Sequence, residues 1–344
     1  MIRIGIICPS EIAFRRFMPA LKLVKDFSFT EIGIASADEW YGHDVTYDAE
    51  LEKKRVELEK AKGQTFLDAW GGGKIIDGYE NLVSSSEIDA VYLPLPPALH
   101  YKWAKLALEC GKHVFIEKPS TTDVSDTNDL IEIAKAKKLV LHENYMFMYH
   151  DQLKAINNVV ASGEIGDVRL YRITFGFPRR AQNDFRYVKS LGGGALIDAG
   201  GYTIKYASFL LGPTAKLTTA QANYLDEFDV DMYGSATMVN DKGVTAQLAF
   251  GMDNDYKCEI EIWGSKGTLT SNRILTAPAG FAPEYTIKKN QNYETFKLPV
   301  DDAFRKSIEL FGMCMADDAT REKEYGLIGT EAKLLTDFKT MAGI

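Results

Sequence analysis

Apolar and polar positions change their spacing twice along this chain. Ile2–Ile7 is a short apolar run of strand character, closed by the turn Cys8-Pro9-Ser10-Glu11. Ile12, Phe17, Ala20, Leu21 and Val24 then recur at helical spacing over Ile12–Lys25. Thr30–Ala35 and Ile88–Leu93 read as further strands, the latter ended by Pro94-Leu95-Pro96-Pro97. A helix from His100 to Gly111 leads into the branched run His113–Ile116. A helix over Asp123–Lys138 starts among Ser, Thr and Asp caps and ends in lysines, as the helix dipole prefers. Leu139–His142 is one more strand. Strands alternating with helices predict a parallel, doubly wound α/β sheet.

Asp38–Gly73 is longer than such a connection needs, and within it Ala49–Lys62 reads as a polar helix stopped by Gly63. It is an inserted excursion: a lid, an oligomer contact or decoration. After His150 the period shortens to two. Val168–Phe177, Asp231–Val239, Val244–Phe250 and Cys258–Trp263 alternate like strands of a mainly antiparallel sheet, with turn signals between them. This predicts a second, α+β domain. The expected boundaries are 1–148 for a dinucleotide-binding domain and 149–344 for a substrate-binding and oligomerisation domain. Helices over Phe304–Ala316 and Gly329–Met341 close the chain, the last free to pack back on the first domain.

Composition excludes more than it identifies. With 344 residues, 46% hydrophobic and 26% charged, the chain is an ordinary globular protein. A net charge of −8 with dispersed lysines and arginines argues against nucleic acid. Cys8, Cys110, Cys258 and Cys314 stand far apart and the five histidines form no ligand pair, so no metal is expected. Reduced thiols, the lack of a leader before the first strand and the lack of a long apolar run predict a cytoplasmic protein off the membrane.

The candidate chemistry gathers around GKHVFIEKPS, Gly111–Ser120. Glu117, Lys118 and Pro119 directly follow a buried strand, so they stand at the carboxyl edge of the sheet, where ligands sit in open α/β folds. Pro119 extends Lys118 and makes a cis bond conceivable. The first turn, Cys8-Pro9-Ser10-Glu11-Ile12, lacks the glycines of a dinucleotide fingerprint, but its backbone N–H groups can still face a pyrophosphate. Ser36, rather than an acid, follows the second strand, which mildly favours NADP(H), although Ala37 offers no cation for a 2′-phosphate. LGGGALIDAGGYTIKYASFLL, Leu191–Leu211, places Asp198, Tyr202 and Tyr206 at i, i+4 and i+8, on one helix face.

The EKP of Glu117–Pro119, the GGGALIDAGGY of Gly192–Tyr202, the long string Tyr79–Pro119 and the ENYMFMYHDQ of Glu143–Gln152 resemble the Gfo/Idh/MocA oxidoreductases over nearly the whole chain. CPSEIAFRR, Cys8–Arg16, is most similar to sugar-nucleotide 3-ketoreductases of deoxysugar pathways. Departures from the family pattern are Cys8 and Ser10 for glycines, Pro97 for Asn and Met148 for Arg. The resemblance implies a Rossmann domain, an open-faced second sheet, and bound NADP(H) or NAD(H). It makes Lys118 the active-site lysine, Asp198 the acid and Tyr202 the proton donor, its phenolate favoured by the ammonium. Cofactor contacts are expected from Cys8, Pro9, Ser10, Glu11, Ile12, Ser36, Leu95, Pro96, His100, Glu117, Lys118 and Asn144. Substrate contacts are expected from Lys118, Tyr145, Arg186, Asp198 and Tyr202. The implied reaction is hydroxyl–ketone interconversion on a sugar or sugar nucleotide at C3. Alternatives are a cyclitol or trans-dihydrodiol dehydrogenase, or a non-catalytic sugar-binding regulator on the same fold. A homodimer or homotetramer through an exposed apolar face of the second sheet is expected.

Overall fold

A computed structural model describes residues 1–43 and 45–344. The chain forms two compact units: Met1–Thr121 with Ser125–Asn144 and Ser307–Gly329, and Thr122–Val124 with Tyr145–Lys306 and Thr330–Ile344.

The first unit holds β1 (Ile2–Ile6), β2 (Phe27–Ile34), β3 (Lys74–Asp77), β4 (Ala90–Leu93), β5 (His113–Glu117) and β6 (Leu141–Asn144). All neighbours are parallel, in the order β3-β2-β1-β4-β5-β6. Every side chain of β4 is buried, as in a parallel sheet covered on both faces. Helices α1 (Met18–Leu21), α2 (Ala37–Tyr41), α3 (Ala49–Trp70), α4 (Tyr79–Ser84), α5 (His100–Glu109) and α6 (Val124–Lys137) lie between the strands. On α5, His100, Trp103, Ala104, Ala107 and Leu108 are buried, one apolar stripe at helical spacing. The strand order reverses between β1 and β4, so the first turn and the ends of β4 and β5 gather at the switch point.

Three expectations change here. α3 runs seven residues past the predicted stop at Gly63, to Trp70. Gly63 is buried against β3, where an added Cβ would stand 3.1 Å from Ile75 Cδ1, so this glycine makes room for packing and does not end the helix. β3 itself was invisible in the pattern, being four residues long and only half-buried. The first helix is also shorter than its periodicity suggested. A wide turn, with the Met18 N–H reaching Ala13 O, precedes a four-residue α1.

The second unit contains α7 (Asp151–Ala161), β7 (Val168–Gly176), α8 (Gly201–Leu211), β8 (Lys216–Asn223), β9 (Tyr233–Val239), β10 (Thr245–Gly251), β11 (Lys257–Gly264), β12 (Thr268–Asn272), β13 (Glu284–Lys289) and β14 (Asn292–Lys297). The eight strands are ordered β14-β13-β12-β11-β7-β10-β9-β8, and β7 with β10 is the parallel pair in an otherwise antiparallel sheet. The inward face, with Ile173, Phe175, Leu248, Phe250, Ile260 and Ile262, packs on Leu196, Ile204 and Ala207 around α8. The outward face differs from the apolar surface expected. At its centre Arg172 donates to Gln247 (3.1 Å) and to Glu261 (3.0 Å), so cross-strand polar pairs occupy the register. Trp263, Tyr233 and Tyr293 are large rings left exposed on that face. Helices α9 (Ala303–Ala316) and α10 (Asp318–Ala342) close the chain, α10 eleven residues longer at its start than Gly329 predicted. No helix among the described residues is long and apolar enough to cross a membrane.

Candidate active site

β5 delivers Glu117 and Lys118 to the sheet edge, and the Lys118–Pro119 peptide is cis. Glu117 Oε1 accepts from Tyr92 Oη (2.6 Å) and Asn144 Nδ2 (2.8 Å). Ser307 Oγ donates to Asn144 Oδ1 (2.8 Å), and His142 Nε2 lies 2.8 Å from Ser307 Oγ. His142 Nδ1 is 2.9 Å from Glu324. Burial pushes the Glu117 carboxyl up, against the pull of Tyr92, Asn144 and the Lys118 charge. Glu117 and Asn144 are therefore joined to an internal network, and Asn144 at 1% exposure is a support and not the cofactor contact expected.

The backbone on either side of Lys118 is pinned. Ser120 N–H donates to buried Glu143 (2.8 Å), and Thr121 Oγ1 meets Thr127 Oγ1 at 2.7 Å. His100 Nδ1 and Nε2 each stand 2.8 Å from a carbonyl, those of Pro119 and Leu95. Burial lowers the pKa of this ring to about 4, so it is neutral near pH 7 and its one N–H serves one carbonyl at a time. His100 is wholly buried, which corrects its expected contact with cofactor: it ties the loop after β4 to the loop carrying Lys118. Leu95 is also buried, while Pro96 is half-buried at the start of the turn Pro97–Leu99.

The first turn fits a dinucleotide despite its missing glycines. None of Cys8, Pro9 and Ser10 has positive φ, so no position there requires glycine. Ser10 Oγ accepts from Ala13 N–H (3.2 Å) and Ser10 O from Phe14 N–H (3.1 Å). The N–H groups of Glu11 and Ile12 belong to the helix start, which has no intrahelical acceptors for them. Both residues are exposed. Close approach of the strands is met at Gly33 instead, where a Cβ would stand 2.8 Å from Ile7 O. The Cys8 thiol points toward Pro94 O (3.7 Å) and burial pushes its pKa up to about 12, so it is not a thiolate. Ser36 is exposed and caps α2 in a box with Glu39.

In the second unit, Asp198 lies in a wide turn, Leu196–Gly200, whose Gly201 N–H reaches Leu196 O. Such turns widen a helix locally and recur at functional sites. Three things hold this one. Gly193 N–H and Gly194 N–H bond to the carbonyls of Val188 and Arg186. A Cβ on Gly193 would strike the Arg186 backbone, and Gly194, at φ +120, leaves room for the Asp231 carboxylate. Asp231 Oδ2 then accepts from Leu196 N–H (2.6 Å). Burial raises the Asp231 pKa to about 6.

Arg186 Nε donates to Asp198 Oδ2 (2.6 Å) and Nη1 to Asp184 Oδ1 (3.1 Å). Burial opposes the Arg186 charge, but the two carboxylates outweigh it and hold its pKa above the ordinary arginine value. Asp184 was missed in the sequence; its spacing two before Arg186, where it also caps the turn Phe185–Tyr187, was the available signal. Tyr202 follows one turn after Asp198, half-buried, with Tyr145 edge-on at 5.3 Å and Phe175 at 5.3 Å. Tyr145 is 1% exposed, which corrects its expected substrate contact: its ring packs behind Tyr202. Tyr206 does not share the exposure of Asp198 and Tyr202. It lies one turn further along α8 and is fully buried against Phe147 (5.9 Å).

The parallel sheet with its reversal between β1 and β4 is the architecture of a dinucleotide-binding domain. Residues 44–145 match the family described as "Oxidoreductase family, NAD-binding Rossmann fold", and residues 153–270 match the GFO/IDH/MocA C-terminal domain. A dTDP-3,4-didehydro-2,6-dideoxy-alpha-D-glucose 3-reductase of Actinomadura kijaniata is 36% identical over 314 residues, 91% of this chain and 87% of that protein. A protein of the same name from Saccharopolyspora spinosa is 35% identical, covering 90% and 86%. The crystal structure of a 3-ketoreductase from Actinomadura kijaniata in complex with NADP and TDP-benzene superposes with a TM-score of 0.87 at 33% identity, covering 99% of this chain and 97% of that one. The chain belongs to the Gfo/Idh/MocA oxidoreductase family.

Proposed function

We propose that this protein is a 3-ketoreductase of a sugar nucleotide, reducing a C3 ketone to a hydroxyl or running the reverse reaction. The observation that carries the reading is similarity to 3-reductases across nine-tenths of the chain, with Lys118, Asp198 and Tyr202 all present. Glu11 and Ile12 offer backbone N–H groups to a pyrophosphate, and Ser36 stands on the ribose side. A bound nicotinamide supplies the hydride equivalent. Reduction builds negative charge on the ketone oxygen, and Tyr202 gives that oxygen a proton. Lys118 orients the oxygen and favours the phenolate that remains. Asp198, which accepts from Arg186 Nε, also accepts a neighbouring sugar hydroxyl and orients the ring. Self-association through the outward sheet face around Trp263 belongs to the same reading; a monomer in light scattering at micromolar concentration would overturn that part.

The test is turnover of a panel of nucleotide sugars and of matched free sugars and cyclitols, with NADPH and NADH. Activity on dTDP-linked 3-ketosugars is expected. Turnover of cyclitols or dihydrodiols alone would replace this reading.

A further inference from the structure

Ala37 supplies no cation beside Ser36, but α3 brings one from elsewhere in the sequence. Arg55 Nη2 donates to Ala35 O at 2.8 Å, the carbonyl directly before Ser36. Glu52 takes Nε at 2.7 Å and Nη2 again at 2.6 Å. Nη1 is buried and makes no hydrogen bond. A buried charged donor without an acceptor is costly and needs a reason. The guanidinium lies 4.9 Å from the centre of the Trp40 ring. That ring is 54% exposed, so on this side the guanidinium lies against a surface side chain and not core. The nearby acid is already committed. Glu39 accepts from the N–H groups of Ser36 (2.7 Å), Tyr79 (2.8 Å) and Glu80 (2.9 Å), which leaves it poorly placed to select a ribose 2′-hydroxyl.

We propose that Arg55 is the residue that reads the 2′-phosphate of NADP(H), with Nη1 as the donor, Ser36 Oγ beside it and Trp40 as the movable cover. This rests on the oxidoreductase reading above. Glu52 holds the Nε/Nη2 edge and so fixes the guanidinium plane, which leaves the two diverging N–H bonds of Nη1 as the donors still open to a phosphate oxygen. The former excursion, 38–73, thereby gains a role: it carries the cation that the β2 turn lacks.

Calorimetric titration of the full chain with NADP⁺, NAD⁺, 2′,5′-ADP and 5′-AMP tests this without relying on activity. Wild type should bind NADP⁺ and 2′,5′-ADP more tightly than their unphosphorylated counterparts. Arg55→Met should weaken the two phosphorylated ligands by ~10–100-fold, as for a lost charge-assisted hydrogen bond, and change NAD⁺ and AMP by no more than ~2-fold. Arg55→Lys keeps the charge without the planar guanidinium that Glu52 orients and should lose part of the same selectivity; it carries the test if Arg55→Met fails to fold. Parallel loss of NAD⁺ and NADP⁺, or no loss of either, would show a merely structural arginine and overturn the assignment. Wild type that binds NAD⁺ but not NADP⁺ would overturn it too, while leaving the oxidoreductase reading intact. Binding of neither dinucleotide would overturn that reading itself.

Discussion

Glu117 at the end of β5 and Asp198 in the turn before α8 are both carboxylates near proposed chemistry, yet the chain treats them in opposite ways. Glu117 has neutral hydrogen-bond donors from two other strands, Tyr92 and Asn144, and burial raises its pKa. Asp198 has a cation twelve positions away, and the loop that supplies Arg186 also supplies a second carboxylate, Asp184. The first arrangement is a long-range scaffold, in which removing one member leaves buried partners unsatisfied. The second is a local, mostly buried charge cluster, its side chains 13–21% exposed, in which each group finds its partner within a few turns of chain. Scaffold and reactive group therefore differ in how far along the chain their partners come from.

The largest expected effect bears on the groups that these two carboxylates flank. Tyr202→Phe keeps the ring and its aromatic neighbours and removes the proton, so turnover should fall by ~10²–10⁴-fold with dinucleotide affinity nearly unchanged. Lys118→Ala should do at least as much harm. If the two act as one unit, the double variant is little worse than the worse single one. Normal turnover in Tyr202→Phe would remove it as the acid.

The comparison itself sharpens in a pair of substitutions. Glu117→Leu leaves the Tyr92 hydroxyl and the Asn144 amide without their acceptor and should cost ~2–4 kcal/mol of stability in urea unfolding. Asp198→Asn keeps an oxygen that accepts from Arg186, so it should cost ~1–2 kcal/mol in the same assay while lowering kcat/KM by ~10–100-fold. Equal stability losses would show that both carboxylates are scaffold.

Asp231 gives a pH test of the turn that carries Asp198. Burial lifts its pKa to about 6 from the ordinary 3.8, so between these values the folded chain holds a proton that the unfolded chain has released. Its contribution to stability is therefore complete below pH ~4, declines as pH rises to ~6, and is level above that. The stability of wild type minus that of Asp231→Asn should fall by ~2–3 kcal/mol between pH 4 and 7. A flat difference would mean that this carboxyl is not desolvated in solution.

The smallest effect belongs to Tyr206, one turn beyond Tyr202. Its hydroxyl is buried and has no hydrogen-bond partner. Tyr206→Phe should leave turnover unchanged and hold stability level or raise it by up to ~1 kcal/mol, because an unsatisfied polar atom is removed. A large loss in either measurement would reveal a partner for this group.

Much of this was legible in the residues. The alternation of strands and helices, the sheet-edge position of Lys118 and the glycine-led turn before Tyr202 follow from local spacing. β3 was not legible, because four half-buried residues after three glycines carry too little pattern to separate from a loop. Gly63 misled because a glycine that ends a helix and one that admits a neighbouring isoleucine look alike in sequence. His100, Asn144 and Tyr145 were read as contacts for a ligand, and all three are buried supports.

By itself the sequence determined which residue types stand at the end of each strand and the start of each helix, since periodicity and turn chemistry act over a few residues. Tertiary structure decided which of those residues face one another. His142 finds Glu324, 182 positions on, and Arg55 reaches the carbonyl before Ser36 from a helix that the pattern marked only as polar. Such pairings arise only when strands have taken their order and helices have packed on them, because no local rule ties the two partners' positions together.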